Sequence, residues 1–149
     1  LGTGEQAYQD ILSRLAAEFP GKVALRLGFS DPVAHRIEAG SDMFVMASRY
    51  EPCGLNQMYS LKYGTIPIVR ATGGLADTIT EFKGGKGNGF VFEKYEASEL
   101  MKAVKRALKL FQNREEWIKL IRLAMSYDYS WEVSAKKYVD LYRSIMKKN

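Results

Sequence analysis

An α/β fold with a largely parallel sheet follows from three features of the sequence. Short apolar runs alternate with segments of helical periodicity through the first two thirds of the chain. Two of those runs, Met43–Ala47 and Ile66–Val69, lead through glycine-bearing turns into helices, the pattern of strands joined by helical crossovers. The remainder, from about Leu100, carries apolar stripes at helical spacing.

The elements can be justified in order. Leu1–Gly4 reads as the end of a strand and a turn. A helix over 5–19 follows from the spacing of Tyr8, Ile11, Leu12, Leu15, Ala16 and Phe19, and Pro20-Gly21 ends it. Val23–Leu27 reads as a strand closed by Gly28, which places Phe29 and Ser30 past its carboxyl end. Asp31 is expected to cap a short helix with Pro32 at its first position, reaching Ala39 and stopping at Gly40. The central unit is a strand over 43–47, a turn over 48–54, and a helix over 55–63 stopped by Gly64. A second strand spans 65–70, with Pro67 expected near its start or at an irregularity because it lacks a donor. Ala71–Gly74 turns into a short helix over 75–79. Lys83–Gly89 reads as a flexible loop, and 89–92 as a last strand. Three helices complete the chain. Their stripes are Leu100, Val104, Leu108 and Phe111; then Trp117, Leu120, Ile121, Ala124 and Met125; then Tyr138, Leu141, Tyr142 and Ile145 after a capping Ser130. All three stripes read as core packing rather than as a cofactor-binding pattern.

Bulk composition narrows the function. The chain has 149 residues, 46% of them hydrophobic, which fits one soluble globular domain. No apolar run approaches the roughly 20 residues that span a bilayer, and Leu1–Gly4 shows no secretory signal. A first residue other than Met is expected of a fragment. One cysteine and one histidine leave no internal disulfide and no His- or Cys-built metal centre, and a reducing, cytoplasmic setting is expected. The net charge of +5 owes much to Lys136, Lys137, Arg143, Lys147 and Lys148. These charges are not interleaved with aromatics as base-stacking surfaces are, so no nucleic-acid partner is expected.

The chemistry centres on Met43–Gly64. In parallel sheets ligands bind beyond the carboxyl ends of the strands. Phe29, Glu51–Asn56 and Thr72–Gly74 all follow such ends and are candidates for one crevice. Gly54 allows close backbone approach, and the N–H groups of Leu55 and Asn56 would lie in a helix's first turn, where a diphosphate can dock. A βα turn with no ligand has the same outline. Glu51 beside an anion site is repulsive unless it serves a neutral, hydroxyl-rich or cation-forming group. Sugar hydroxyls donate well to a carboxylate, and a glycosyl transition state carries positive charge that one would stabilise. Glu51 as a solvated turn residue is the alternative. Among the neighbours, Phe29 could stack on a base or simply pack. Arg49 could balance Glu51, meet a phosphate or pair with a surface acid. Asp77 could face solvent or complement the helix N-terminus. His35 reads as structural, since no orienting partner is evident. Cys53 is expected to matter through its backbone rather than its sulfur.

These segments also carry a resemblance. Ser48-Arg49-Tyr50-Glu51-Pro52-Cys53-Gly54-Leu55, Gln57–Gly64 and Thr72-Gly73-Gly74-Leu75-Ala76-Asp77-Thr78 closely resemble the bacterial glycogen synthases and plant starch synthases. His35-Arg36-Ile37, Gly40-Ser41-Asp42 and Tyr129-Ser130-Trp131 fit the same family, collinearly over the chain. The resemblance implies a Rossmann-like parallel sheet with flanking helices, the partial carboxyl-terminal nucleotide-sugar domain of a two-domain, GT-B type glycosyltransferase. It implies transfer of glucose from ADP-glucose to the non-reducing end of an α-1,4-glucan with retention, without metal or other cofactor. On this resemblance Glu51 is the catalytic carboxylate near the donor glucose. The backbones of Cys53 and Gly54 would meet sugar hydroxyls, Leu55 and Asn56 would meet phosphate, and Thr72, Gly73 and Gly74 would line the donor site. Phe29 would stack on adenine, where Tyr is common, and Asn56 stands where Thr is common. Related families carry a second Glu where this chain has Tyr59, so paired carboxylates are not implied.

The resemblance covers only part of such an enzyme. On the resemblance, the glucan-binding amino-terminal domain, the start of the nucleotide domain and the basic residues that grip the diphosphate are expected to lie outside this sequence. The missing strands would lie between Val23–Leu27 and Met43–Ala47, and the sheet would need rearranged pairing, a dimer or a swapped partner to fill that gap. The chain alone is therefore expected to be inactive and to bind ADP weakly at most. A non-catalytic nucleotide- or glucan-binding module, or an assembly fragment, is the alternative. The expected location is cytoplasmic, or a plastid in a plant.

Overall fold

A computed structural model describes residues 1–146, so Lys147 and Lys148 of the basic tail lie outside the described residues. The chain divides into two compact units, Leu1–Glu38 and Ala39 onward.

The first unit holds helix α1 (Gln6–Glu18) and most of helix α2 (Asp31–Ala39). The Gln9 side chain donates to the Gly4 carbonyl at 2.7 Å, fixing the entry to α1. The strand expected at 23–27 is reduced to one parallel bridge, Gly2 with Leu27. The periodicity of α1 is helical as expected, yet Tyr8, Ile11, Leu12, Leu15 and Phe19 are all exposed. In α2 the Ala34 N–H bonds to the Ser30 carbonyl. Ser30 therefore holds the capping position expected of Asp31, which is itself the first helical residue.

The second unit is built on three parallel strands in the order β1 (Met43–Met46), β2 (Ile66–Arg70), β3 (Phe90–Phe92). Met43 pairs with Ile66 and Ile68 with Phe90. Ile66, Pro67, Ile68 and Val69 are all buried, so the central strand is covered on both faces, as its continuous apolar run requires. Pro67 sits one residue inside β2, before β3 begins to pair. Five further helices belong to this unit: α3 (Asn56–Tyr63), α4 (Gly73–Thr78), α5 (Ala97–Phe111), α6 (Arg114–Ser126) and α7 (Trp131–Met146). The core joins Leu61, Leu75, Ile79, Phe90, Phe92, Ala103, Ala107, Trp117, Leu120 and Ala124 to β2.

Three expectations change. On α5 the fully buried residues are Ala103 and Ala107, whereas Leu108 and Phe111 are exposed. The small side chains let the helix approach closely, which a reading weighted toward large apolar residues misses. On α7 no residue is buried, and Tyr138, Leu141, Tyr142 and Ile145 face outward. Periodicity defines a face but not what covers it. The loop at 83–89 contains a tight turn, with Lys83 bridging Lys86 around Gly84 and Gly85. Behind it the buried Asn88 donates to the Thr78 carbonyl at 2.9 Å and accepts from the Thr80 N–H at 2.8 Å. The outer edge of β3 is closed by side chains. Glu81 accepts from the Val91 N–H at 2.7 Å, Arg106 donates to the Val91 carbonyl at 2.7 Å, and the two pair with each other at 2.8 Å. This masks an edge that would otherwise offer free ladder groups.

Candidate functional site

Two turns leave the carboxyl ends of β1 and β2, which are neighbours in parallel register, so the turns emerge side by side. The first runs from Ala47 to Leu55 and the second is Ala71-Thr72. They interlock through backbone. The Gly74 N–H donates to the Glu51 carbonyl at 3.1 Å. A Cβ on Gly73 would overlap that same carbonyl oxygen, and one on Gly74 would overlap the Cys53 carbonyl. Only glycine fits either position, and Gly73 also has φ +43°. The structure thus brings together Glu51, Cys53, Gly54, Leu55 and Asn56 with Thr72, Gly73 and Gly74.

Helix α3 begins one residue later than expected, with Leu55 at the N-cap and Asn56 first in the helix. Leu55 has no side chain able to cap, and the first turn carries no acidic residue. The leading N–H groups and the positive end of the helix dipole therefore carry no side-chain cap at Leu55. Helix α4 starts two residues earlier than expected, at Gly73, with Thr72 at its N-cap.

The carboxylate of Glu51 is half-buried and accepts from the Ser48 hydroxyl at 3.1 Å. Cys53 is exposed, as are Leu55, Asn56, Arg49 and Asp77. Phe29 belongs to the first unit, follows the Gly2–Leu27 bridge, and is 90% exposed. His35 does have a neighbour: Asp31, one helical turn earlier, lies 3.7 Å from its Nε2. The spacing of four within α2 was the signal for that pair.

Sequence reasoning missed three residues. Arg70, at the end of β2, donates from Nε to the Ser48 carbonyl at 2.8 Å and from a terminal nitrogen to the Arg49 carbonyl. It also reaches the Glu93 carbonyl at 3.4 Å and lies 5.6 Å from the centre of the Tyr95 ring. One guanidinium therefore ties the exits of all three strands. The arginine ending an otherwise apolar strand was the available clue. Gln57 and Thr78 are the others, with the Gln57 amide nitrogen 3.2 Å from the Thr78 hydroxyl. Among the described residues no three His, Cys, Asp or Glu side chains are grouped to hold a metal. No described helix is long and apolar enough to cross a membrane.

With this geometry in place, comparison with known proteins places the chain. The profile of the family described as "Glycosyl transferases group 1" matches residues 2–123. The chain belongs to that family. Among its relatives in the group 1 family, the glycogen synthase of Anaeromyxobacter sp. (strain K) is 53% identical over 146 residues, covering 97% of this chain and 31% of that protein. The glycogen synthase of Koribacter versatilis (strain Ellin345) is 50% identical over 144 residues, covering 95% and 30%. The catalytic domain of Starch Synthase IV from Arabidopsis thaliana, solved with ADP and acarbose, superposes with a TM-score of 0.82 at 32% identity, over 96% of this chain and 31% of that one. The Rossmann-like parallel sheet with flanking helices is accordingly that of the GT-B glycosyltransferases. The chain spans about 31% of the length of the curated relatives it matches.

Proposed function

We propose that this group 1 chain is the carboxyl-terminal nucleotide-sugar-binding part of a glycogen or starch synthase. The parent enzyme transfers glucose from ADP-glucose to the non-reducing end of an α-1,4-glucan with retention of configuration. The observation that carries the reading is the interlocked pair of turns, which sets a held carboxylate beside an uncapped helix N-terminus. Those two features suit the two ends of a nucleotide sugar. The Leu55 and Asn56 N–H groups meet the diphosphate, where helix dipole and free donors favour negative charge. The backbones of Cys53 and Gly54 meet glucose hydroxyls, while Thr72, Gly73 and Gly74 wall the same pocket. Glu51 stabilises the cationic character that develops at the sugar carbon. The chemistry needs no metal, since amides and the helix end carry the phosphate charge.

The glucan is held by the remainder of the parent, in the cytoplasm or a plastid. The free edge of β1 is where a further strand of the parent joins; in the isolated chain a second copy could take that place.

The test is Glu51→Gln in the full-length enzyme, assayed with labelled ADP-glucose and glycogen. Turnover should fall about 10²–10³-fold, with the inhibition constant of ADP nearly unchanged. Equal loss in both would assign Glu51 a structural role, and an unaltered enzyme that transfers no glucose would sink the reading.

A further inference from the structure

Gln57 is completely buried, the second residue of α3, at a position where a helix would ordinarily place an apolar residue. Its amide nitrogen lies 3.1 Å from the Cys53 carbonyl, 3.1 Å from the Gly54 carbonyl and 3.2 Å from the Thr78 hydroxyl. Carbonyl oxygens only accept, so the amide must present its NH2 to them, and its orientation is fixed. The Thr78 hydroxyl donates to the Gly74 carbonyl at 2.6 Å, which leaves its lone pair to accept from Gln57. Thr78 is itself anchored. Its carbonyl accepts from Tyr129 at 2.6 Å and from Asn88 at 2.9 Å.

This clasp determines more than stability. Both peptides it holds are trans, so each N–H points opposite to its carbonyl. Drawing the Cys53 and Gly54 carbonyls onto the Gln57 amide turns the N–H groups of Gly54 and Leu55 away from it. Those N–H groups belong to the turn assigned above to the donor. Gly54 has φ +70°, and a Cβ there would meet Gln57 Oε1 at 2.5 Å. The glycine's bare Cα therefore lets the amide sit against the turn.

We propose that Gln57, braced by Thr78, is a positioning residue that sets the peptide planes of 53–55 and so aims the Gly54 and Leu55 N–H groups at the nucleotide sugar. The inference rests on the functional reading above. It predicts that disturbing the clasp weakens nucleotide-sugar recognition specifically, without changing the acceptor side.

The experiment uses the full-length enzyme with Gln57→Met, Thr78→Val and Thr78→Ser. Among the described residues Gln57 Oε1 accepts no hydrogen bond, so the near-isosteric Met chiefly removes the donors. Gln57→Met should raise both the KM for ADP-glucose and the inhibition constant of ADP about tenfold, with the KM for glucan unchanged. Thr78→Val should do the same to a smaller degree, and Thr78→Ser should restore the unaltered values. A merely structural role would lower kcat through a smaller active fraction and leave each KM alone. That pattern, or an unchanged Gln57→Met enzyme, would overturn the inference. If the Gln57 variant does not fold, the two Thr78 variants decide by the same criteria. An unaltered enzyme inactive on ADP-glucose sinks the functional reading and this inference together. An active one indifferent to the clasp sinks this inference alone.

Discussion

Gly74 illustrates how a single residue fixes the site. Its N–H reaches the Glu51 carbonyl, and its missing side chain leaves room for the Cys53 carbonyl. Any Cβ must push one turn off the other. Gly74→Ala should therefore destabilise the parent by about 2–3 kcal/mol and lower its activity. Gly4→Ala is the control: no atom lies within 4 Å of its added Cβ and its φ is unexceptional, so it should have little effect. Thermal unfolding of both variants checks the contrast, and equal midpoints would show that the turns are not locked as described. The glycines were legible in sequence as turn residues, whereas their mutual contact was not. Glu51 was legible as a carboxylate out of place beside an anion site. Its hydroxyl partner Ser48, three residues away, is a local feature that a closer reading could have found.

At the level of elements, the clearest case is β3. It is a three-residue strand whose outer edge is closed by Glu81 and Arg106 rather than by another strand. Arg106 is partly exposed, which limits the ion pair itself to a modest contribution. The hydrogen bond to the Val91 carbonyl adds to it. Arg106→Met should cost about 1–2 kcal/mol, measurable as a lower denaturation midpoint that high salt narrows only in part. A variant as stable as the original would mean that water replaces the cover at no cost. The α5 stripe shows the limit of periodicity at this scale. Ala103 and Ala107 are its fully buried residues, yet they carry little hydropathic signal, and Leu108 and Phe111 drew attention in their place. Helix α6 was read more accurately because the buried Trp117 and Leu120 are large. Its start is also marked locally, by Asn113 accepting from the Glu116 N–H at 3.3 Å.

For the whole molecule, the outward apolar faces of α1 and α7 and the unpaired edge of β1 are surfaces left uncovered among the described residues of each unit. Trp131 is 86% exposed at the start of α7. Under the proposed function these surfaces belong against the rest of the parent. The 149-residue chain alone should incorporate no labelled glucose into glycogen and should bind ADP weakly. Its mass in solution is informative as well: a dimer would fit sheet completion by a second copy, and a stable monomer would fit a self-contained module. Micromolar ADP affinity in titration calorimetry would mean that the α3 end suffices for the diphosphate without the parent's other groups.

The sequence by itself determined the order of strands and helices from Met43 onward, the glycine turns at the carboxyl ends of β1 and β2, and the nearness in sequence of a carboxylate to a helix N-terminus. These follow from residues within a few positions of one another, and such interactions leave local patterns. Only the tertiary structure decided that the two turns interlock, that Arg70 ties three strand exits, and that Gln57 reaches Thr78 across 21 positions. Those contacts depend on parallel register and on which strands are neighbours. Register is set by packing over the whole sheet, so no short window of residues contains it.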